Sequence, residues 1–311
     1  MIVRLMYLFV ILVWATTPLA IKLGGESFSA LGGLSLRIMI ALVVGCSFGW
    51  LVGYRGLKLR KHWLFYLAAS VSIFPNMGLV YMAAEMVPSG LISLLFGLSP
   101  FIIALLTKPV LGESVLVPRK LFAVFLACLG LAFIFYDQLK VDTGSALGVF
   151  YLVVANLLFG LSALWVKKLN KTMVMPISEQ ALGSMVFALP GMLITWYIVA
   201  EPGVVEVSFV SLVSLIYLAI IGSLGGLVAY YFILKHMTVE AVSLIPLITP
   251  VLAMILGVVI LDESATFGMV CGALIIITAL AIHQRLWSIF YSKPEVTAVS
   301  IDQALNSSRT L

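Results

Sequence analysis

Long apolar runs alternate with short polar connections along almost the whole chain. A helix that crosses a bilayer needs about 20 mainly apolar residues, and ten segments meet or approach that length. The pattern therefore predicts ten transmembrane helices, at 5–21, 30–52, 64–84, 88–107, 121–136, 146–166, 177–199, 212–234, 241–261 and 265–282. We expect the fifth to begin near Pro118, because proline suits the first turn of a helix.

Composition supports this prediction and excludes several classes of protein. Apolar residues make up 63% of the 311-residue chain, against roughly 45–50% in an ordinary soluble domain. Charged residues make up 10%, against about 25% in such a domain, which is too few to cover a soluble surface. We therefore predict an all-α polytopic membrane protein, with the lipid bilayer as its partner. A cytosolic enzyme, a disordered chain and a nucleic-acid binder are excluded.

Residues that commonly hold metals or cofactors are sparse. The three cysteines lie inside apolar runs, where cysteine acts as a small hydrophobe. The three histidines, His62, His236 and His283, fall in predicted loops or at a span end. The sequence therefore predicts no disulfide framework, no metal site, no cofactor and no enzymatic centre.

Lysine and arginine follow the positive-inside rule if the N-terminus is cytoplasmic. Fifteen of the 18 basic residues then lie on the inner side. Only Lys22, Arg37 and Lys140 fall outside or within the membrane. We predict that both termini are cytoplasmic and that the protein resides in the plasma membrane, the inner membrane in a bacterium.

The chain resembles itself at an offset of 150 residues. Pro100 is followed thirteen residues later by Glu113-Ser114, and Pro250 is followed thirteen residues later by Glu263-Ser264. Other pairs in the same register are Tyr81 with Tyr231, Ser93 with Ser243, Leu94 with Leu244, Leu106 with Leu256 and Leu111 with Leu261. The two prolines and two Glu-Ser pairs make an internal duplication the simplest explanation.

Five spans per half is an odd number, so the second half must cross the membrane in the opposite direction. A weaker similarity supports the duplication, because Trp14 and Phe159 each precede a lysine, Lys22 and Lys167, by eight residues. We predict two inverted five-helix repeats, at 1–140 and 143–285, followed by a flexible cytoplasmic tail at 286–311. Inverted repeats are typical of secondary transporters.

The sequence resembles the EamA-type family of the drug/metabolite transporter superfamily over residues 1 to about 285. The resemblance rests on the ten spans, the two proline-to-glutamate repeats, the stretch WATTPLAIK from Trp14 to Lys22, and LRIMIALVVG around Arg37. The second half departs from the first, because Glu179-Gln180 lies in the seventh span where the second span has Arg37.

The resemblance implies a secondary carrier that moves small organic metabolites by alternating access, with export as the expected direction, and it does not imply one substrate. An apolar, aromatic cavity with few buried charges favours small zwitterionic or weakly polar solutes, such as amino acids. An exporter of drugs or toxic compounds with the same fold is the alternative. A channel or an intramembrane enzyme is disfavoured, since the sequence contains no selectivity signature and no nucleophile with a basic partner. No carboxylate has a convincing midplane position, so a coupling ion such as a proton is unassigned; Glu179 is a weak candidate.

Several residues are candidates for lining a solute cavity. Aromatic rings can stack on apolar solutes, and polar side chains deep in a span are costly in lipid. The candidates are Trp14, Arg37, Asn76, Tyr81, Ser93, Asn156, Tyr231 and Ser243. For the two asparagines, a helix-to-helix hydrogen bond is the alternative. Arg37 either snorkels to the outer headgroups or pairs within the protein, or it attracts an anionic group into the cavity.

Prolines and glycines within the predicted spans indicate where helices bend and where they pack closely. Pro100, Pro246 and Pro250 each remove a backbone donor, so they are candidates for a gating bend, with a packing kink as the alternative. Glycines recur at four-residue spacing in the second, eighth and tenth spans, which allows close helix packing. This packing is expected inside the protein, and a homodimer is left open.

Overall fold

The computed structural model describes residues 1–51, 56–87, 92, 95–112, 118–136, 143–199, 206–246, 248–249, 252, 256 and 266–284. All regular secondary structure in these residues is helical. The α-helices are α1 (Ile2–Gly24), α2 (Ala30–Leu51), α3 (Leu59–Ser70), α4 (Asn76–Ala84), α5 (Ser99–Leu111), α6 (Pro118–Tyr136), α7 (Thr143–Asn170), α8 (Ile177–Val199), α9 (Phe209–Tyr217), α10 (Gly226–His236), α11 (Val239–Val242) and α12 (Phe267–Gln284). A π-helical stretch, Leu218–Gly225, joins α9 to α10 and is called the π segment below.

The helices have the length and apolar surface of membrane spans. Five stretches are long and apolar enough to cross a bilayer: Ile2–Ile21, Ala30–Leu51, Ala146–Asn170, Ile177–Val199 and Phe209–His236. Large apolar side chains also face outward, including Phe122, Phe125 and Phe133 on α6. The chain is therefore an all-α polytopic membrane protein, as the sequence predicted. The count of ten spans stays a prediction.

The third predicted span is not one continuous helix. Leu59–Ser70 and Asn76–Ala84 are separate helices, with residues 71–75 between them in turns. Pro75 has no N–H to donate to a residue four positions earlier, which favours an interruption here. Two serines satisfy backbone carbonyls at this break: Ser70 Oγ donates to Leu67 O at 2.9 Å and Ser72 Oγ donates to Ala69 O at 2.8 Å.

The eighth predicted span changes its helical geometry at the equivalent place in the second half. At the 150-residue offset, the break at residues 71–75 corresponds to residues 221–225, which lie inside the π segment. Both halves therefore depart from regular α-helix at matching positions. Irregular backbone at membrane depth is tolerated where it is buried in protein or lines a wet cavity, and π-helical turns occur frequently at functional sites.

The packing between spans buries part of each interruption, namely Ser72 and Ile73 at the break and Gly222 and Ser223 in the π segment. Helix α2 packs against α4, α8 and the π segment, while α3 packs between α7 and α8. Helix α1 lies along α9, the π segment and α10. Helices α6 and α12 pack on each other. A Cβ at Gly130 of α6 would lie 2.9 Å from the backbone oxygen of Gly272, so these helices touch backbone to backbone.

The remaining predicted spans agree with the structure to different extents. Helix α6 starts at Pro118 and α8 has the predicted bounds 177–199. Helix α5 starts only at Ser99, so Pro100 lies in its first turn and not in the middle of a continuous span. Most of the predicted ninth span and the whole tail at 286–311 lie outside the described residues.

Candidate functional site

An aromatic cluster from three helices occupies the interior between the two halves. The Trp14 ring of α1 lies 5.7 Å from the Phe159 ring of α7 and 5.5 Å from the Tyr230 ring of α10, between ring centroids. Phe159 and Tyr230 are 5.8 Å apart. Trp14 is partly exposed, whereas Tyr230 is buried. These three rings, called the aromatic cluster below, form an apolar surface suited to stacking on a solute.

Two members of the aromatic cluster are the residues that the weaker repeat relates. Trp14 and Phe159 each precede a lysine by eight residues, and their rings meet edge to face at an interplanar angle of 70°. Residues related by a twofold axis contact each other only near that axis. The contact is therefore what an inverted repeat would produce at its centre. It also brings together a predicted cavity residue, Trp14, and Phe159, which the sequence did not single out as a cavity residue.

Arg37 points into the protein and does not reach toward lipid headgroups. Its side chain is 7% exposed. Its Nε donates to Ser223 Oγ of the π segment at 2.5 Å, and its Nη1 donates to the Tyr81 hydroxyl at 3.2 Å. Of the alternatives for Arg37, snorkelling is therefore wrong for this structure. The sequence did not single out Ser223 as a partner of Arg37, because a serine in an apolar run has no distinguishing pattern.

Each of the repeat-related tyrosines is connected to a residue in or next to the interrupted segment of the opposite half. Tyr81 is joined through Arg37 to Ser223 in the π segment. The Tyr231 hydroxyl donates to Ala69 O, just before the break at residues 71–75, at 3.4 Å. Both tyrosine side chains are buried. The two halves are thus linked twice, once from Tyr81 through Arg37 to the π segment and once from Tyr231 to the last turn of α3.

The two predicted asparagines tie spans together in this structure. Asn156 Nδ2 donates to Leu95 O at 2.5 Å, and its Oδ1 accepts from Ser99 Oγ at 2.6 Å. Asn76 Nδ2 donates to Ala155 O. The helix-to-helix alternative describes these contacts. The exception is the side-chain oxygen of Asn76, Oδ1, which is buried and has no hydrogen-bond partner among the described residues.

The proline and serine candidates divide between described and undescribed positions. Ser99 Oγ lies 2.6 Å from the Phe96 carbonyl near Pro100 and 2.6 Å from Asn156 Oδ1, so its one proton serves these two acceptors in turn. Pro246 is buried in a helical turn, and Ser243 is buried just after α11. Ser93 and Pro250 lie outside the described residues.

A second polar cluster joins α3 to α8 and was largely missed by the sequence analysis. Glu179 Oε1 accepts from the Tyr66 hydroxyl at 2.5 Å, lies 2.7 Å from His62 Nδ1, and lies 3.5 Å from the Lys58 backbone N–H. His62 was expected in a loop, but α3 begins at Leu59, five residues before the predicted start, and buries it. We call this group the Glu179 cluster.

Comparison with known proteins supports the class that the fold and these clusters define, a multi-pass helical membrane transporter. The EamA-like transporter family matches residues 1–136 and 146–283. The chain belongs to this family, which confirms the resemblance to drug/metabolite transporters. Its division into two matched ranges accords with a duplicated chain.

Individual relatives agree with the family assignment. The chain is 25% identical over 270 residues to the uncharacterized transporter YoaV of Bacillus subtilis, covering 86% of this chain and 91% of YoaV. It is 24% identical over 236 residues to Protein PecM of Dickeya dadantii, covering 75% and 77% of the two chains. A solved crystal structure of a protein superposes with a TM-score of 0.72 at 18% identity, covering 93% of this chain and 99% of the other. That likeness supports the fold.

Proposed function

We propose that this transporter is a secondary carrier that moves small organic metabolites across the plasma membrane by alternating access. The observation that carries the proposal is the pair of interruptions, at residues 71–75 and in the π segment, at equivalent positions of the two halves. Carriers with inverted repeats bind their solute near the midplane, where helices of each half are discontinuous. The Tyr81 hydroxyl is linked through Arg37 to Ser223 in the π segment, and the Tyr231 hydroxyl donates to Ala69 O in the last turn of α3, just before the break.

The solute we propose is small, mostly apolar and only sparsely charged, with amino acids as the favoured class. The aromatic cluster supplies stacking surface, and among the described residues Arg37 is the only lysine or arginine whose side chain is buried. A multiply charged sugar nucleotide would need several basic residues around it. The proposed direction is export, the proposed membrane is a bacterial inner membrane, and the proposed orientation places both termini in the cytoplasm.

Counterflow into reconstituted vesicles tests this proposal. Vesicles containing the full-length protein are loaded with an unlabelled solute and diluted into a trace of the same solute in labelled form. A carrier gives transient accumulation of label above equilibrium, whereas a channel gives equilibration alone. Amino acids and nucleotide sugars are compared in parallel. Counterflow of amino acids supports the proposal, and nucleotide-sugar exchange without amino-acid movement contradicts the proposed solute class.

A further inference from the structure

We propose that Arg37 is the binding site for a single carboxylate group on the transported solute. This inference rests on the proposed carrier function and narrows its solute to small molecules with one carboxylate and an apolar body, which include apolar amino acids. Among the described residues, no opposite charge lies beside the guanidinium of Arg37. Among the described residues, its hydrogen bonds go to two hydroxyl groups, those of Ser223 and Tyr81, and no carboxylate lies within salt-bridge distance of it.

A buried cation with hydroxyl partners alone is unusual at membrane depth. Charged side chains inside membranes generally pair with an opposite charge or face a wet path, and a hydroxyl supplies hydrogen bonding without neutralising the charge. The guanidinium carries five N–H donors. The two bonds to Ser223 and Tyr81 use two of them, so donors remain for a ligand. A planar guanidinium binds carboxylate through two parallel hydrogen bonds.

The surroundings of Arg37 hold the guanidinium in a fixed position. Nη2 lies against Gly222 of the π segment, where an added Cβ would be 3.2 Å from that nitrogen. Ser223 is the next residue, and it accepts from Nε. The π segment thus orients two sides of the group at once. Because the guanidinium is already held in place, solute binding causes little further loss of its conformational entropy, which favours binding.

In this proposal, the apolar part of the solute binds at the aromatic cluster. Ser223 and Tyr230 lie seven residues apart on one continuous helical stretch, which corresponds to about 10 Å along its axis. That distance suits a small solute with a carboxylate at one end and an aromatic or aliphatic body at the other. The Tyr230 hydroxyl gives independent support for a ligand, because this side chain is 2% exposed and its oxygen has no hydrogen-bond partner among the described residues.

Binding is tested on the purified full-length protein by thermal unfolding in detergent, with two probes of the same shape. Hydrocinnamate carries one carboxylate, and hydrocinnamide replaces it with a neutral amide. We expect hydrocinnamate to raise the melting temperature in a saturable manner and hydrocinnamide to have no such effect. Equal stabilisation by both probes would overturn the assignment. Equal stabilisation by sodium chloride at the same concentration would also overturn it, because the site would then take inorganic anions.

Variants locate the effect at Arg37. Arg37→Gln is expected to weaken hydrocinnamate binding by about tenfold or more, the usual loss for a hydrogen bond to a charged group. Gly222→Ala retains the charge but crowds Nη2, so weaker binding is expected there too. This variant also carries the test if Arg37→Gln does not fold. Gly225→Ala is the matched control in the same segment, because its nearest contact would be 3.4 Å. Unchanged hydrocinnamate binding in Arg37→Gln or Gly222→Ala would contradict the proposal.

Counterflow with the same preparation separates this inference from the proposed function. Counterflow of neutral solutes, without selective stabilisation by hydrocinnamate, would uphold the carrier and overturn the carboxylate site. Selective stabilisation without counterflow of any solute would uphold the carboxylate site and contradict the carrier.

Discussion

Asn156 illustrates how a buried polar side chain is used within a span. Its amide donates to Leu95 O and accepts from Ser99 Oγ, so it links α7 to the chain that leads into α5. If these bonds are its role, removing the amide should affect stability and not solute affinity. The two alternatives left by the sequence, a solute contact and a helix-to-helix bond, therefore differ in what a substitution changes.

We expect Asn156→Leu to lower the free energy of unfolding by about 1–2 kcal/mol, because it leaves the buried Leu95 carbonyl without its side-chain donor and takes away one of the two acceptors of the Ser99 hydroxyl. The measurement is thermal or denaturant unfolding of the purified protein, together with the apparent KM for counterflow. Leu157→Ala, an exposed apolar position on the same helix, is the control. A raised KM with unchanged stability would show that Asn156 contacts the solute instead.

Gly183 has a different role, because it makes room for a ring. A Cβ at this position of α8 would lie 2.2 Å from Tyr66 Cδ1. Tyr66 donates to Glu179, so displacing its ring would also disturb the Glu179 cluster. We expect Gly183→Ala to destabilise the protein by about 1–3 kcal/mol, the usual cost of overpacking.

The comparison for Gly183→Ala is Gly33→Ala, another glycine within a helix, whose Cβ would meet its nearest neighbour at 3.4 Å. Alanine is the better helix former by about 1 kcal/mol, so this control should be neutral or stabilising. Equal melting temperatures for the two variants would show that Tyr66 moves aside without cost.

At the scale of whole elements, hydropathy predicted where spans lie but not how their backbones are bonded. Helix α8 has the predicted bounds, and α6 starts at Pro118 because proline fits the first turn. The break at residues 71–75 and the π segment were not predicted, since each lies within a run that is apolar enough to be assigned to a single span; Pro75 is the one sequence signal at the break. Apolar periodicity reports burial, whereas these features depend on which carbonyl each N–H reaches.

For the candidate site, the sequence predicted some of the residues but not the partners they contact. Trp14, Arg37, Tyr81 and Tyr231 could be singled out because they are rare side chains or occupy repeat positions. Their partners could not. Ser223 and Tyr66 are ordinary residues in apolar spans, and only the packing of α2 on the π segment and of α3 on α8 makes them contacts.

The pair formed by α6 and α12 gives a test of element packing. A Cβ at Gly130 would lie 2.9 Å from Gly272 O and 2.9 Å from Ile276 Cγ1. Backbone cannot rotate away as a side chain can, so Gly130→Ala should force the two helices apart. We expect a loss of about 1–3 kcal/mol in stability, measured as a lower midpoint of denaturant unfolding. Gly33→Ala again serves as the control, and a wild-type midpoint for Gly130→Ala would contradict this packing.

For the whole molecule, the proposed orientation has consequences for single-cysteine labelling. A variant lacking Cys46, Cys128 and Cys271 is the background for adding one cysteine at a time. With a cytoplasmic N-terminus, a cysteine at Lys58 should be protected from an impermeant reagent applied to intact cells. Cysteines at Asp142 and Glu201 should react. Labelling at Lys58 from outside would overturn the orientation and with it the proposed direction of transport.

The two tyrosine links belong to the whole molecule because they lie toward opposite ends of it. Tyr81 is three residues before the end of α4, and Tyr231 is five residues before the end of α10. In the proposed orientation α4 ends on the outer side and α10 on the inner side. The contact of Tyr81 with Arg37 would then hold the helices together on the outer side of the membrane. The contact of Tyr231 with Ala69 would hold them together on the inner side.

We therefore expect Tyr81→Phe and Tyr231→Phe to shift the carrier toward opposite states. Each change removes one hydroxyl and little volume, so both proteins should fold. Loss of about 1.4 kcal/mol from one state alters the ratio of two states tenfold, and one buried hydrogen bond is of that order. Single cysteines near each end report the shift: Tyr81→Phe should raise labelling at the outer end, and Tyr231→Phe at the inner end. A shift in the same direction for both variants would contradict the inverted relation of the halves, since repeat-related tyrosines in inverted repeats lie toward opposite sides.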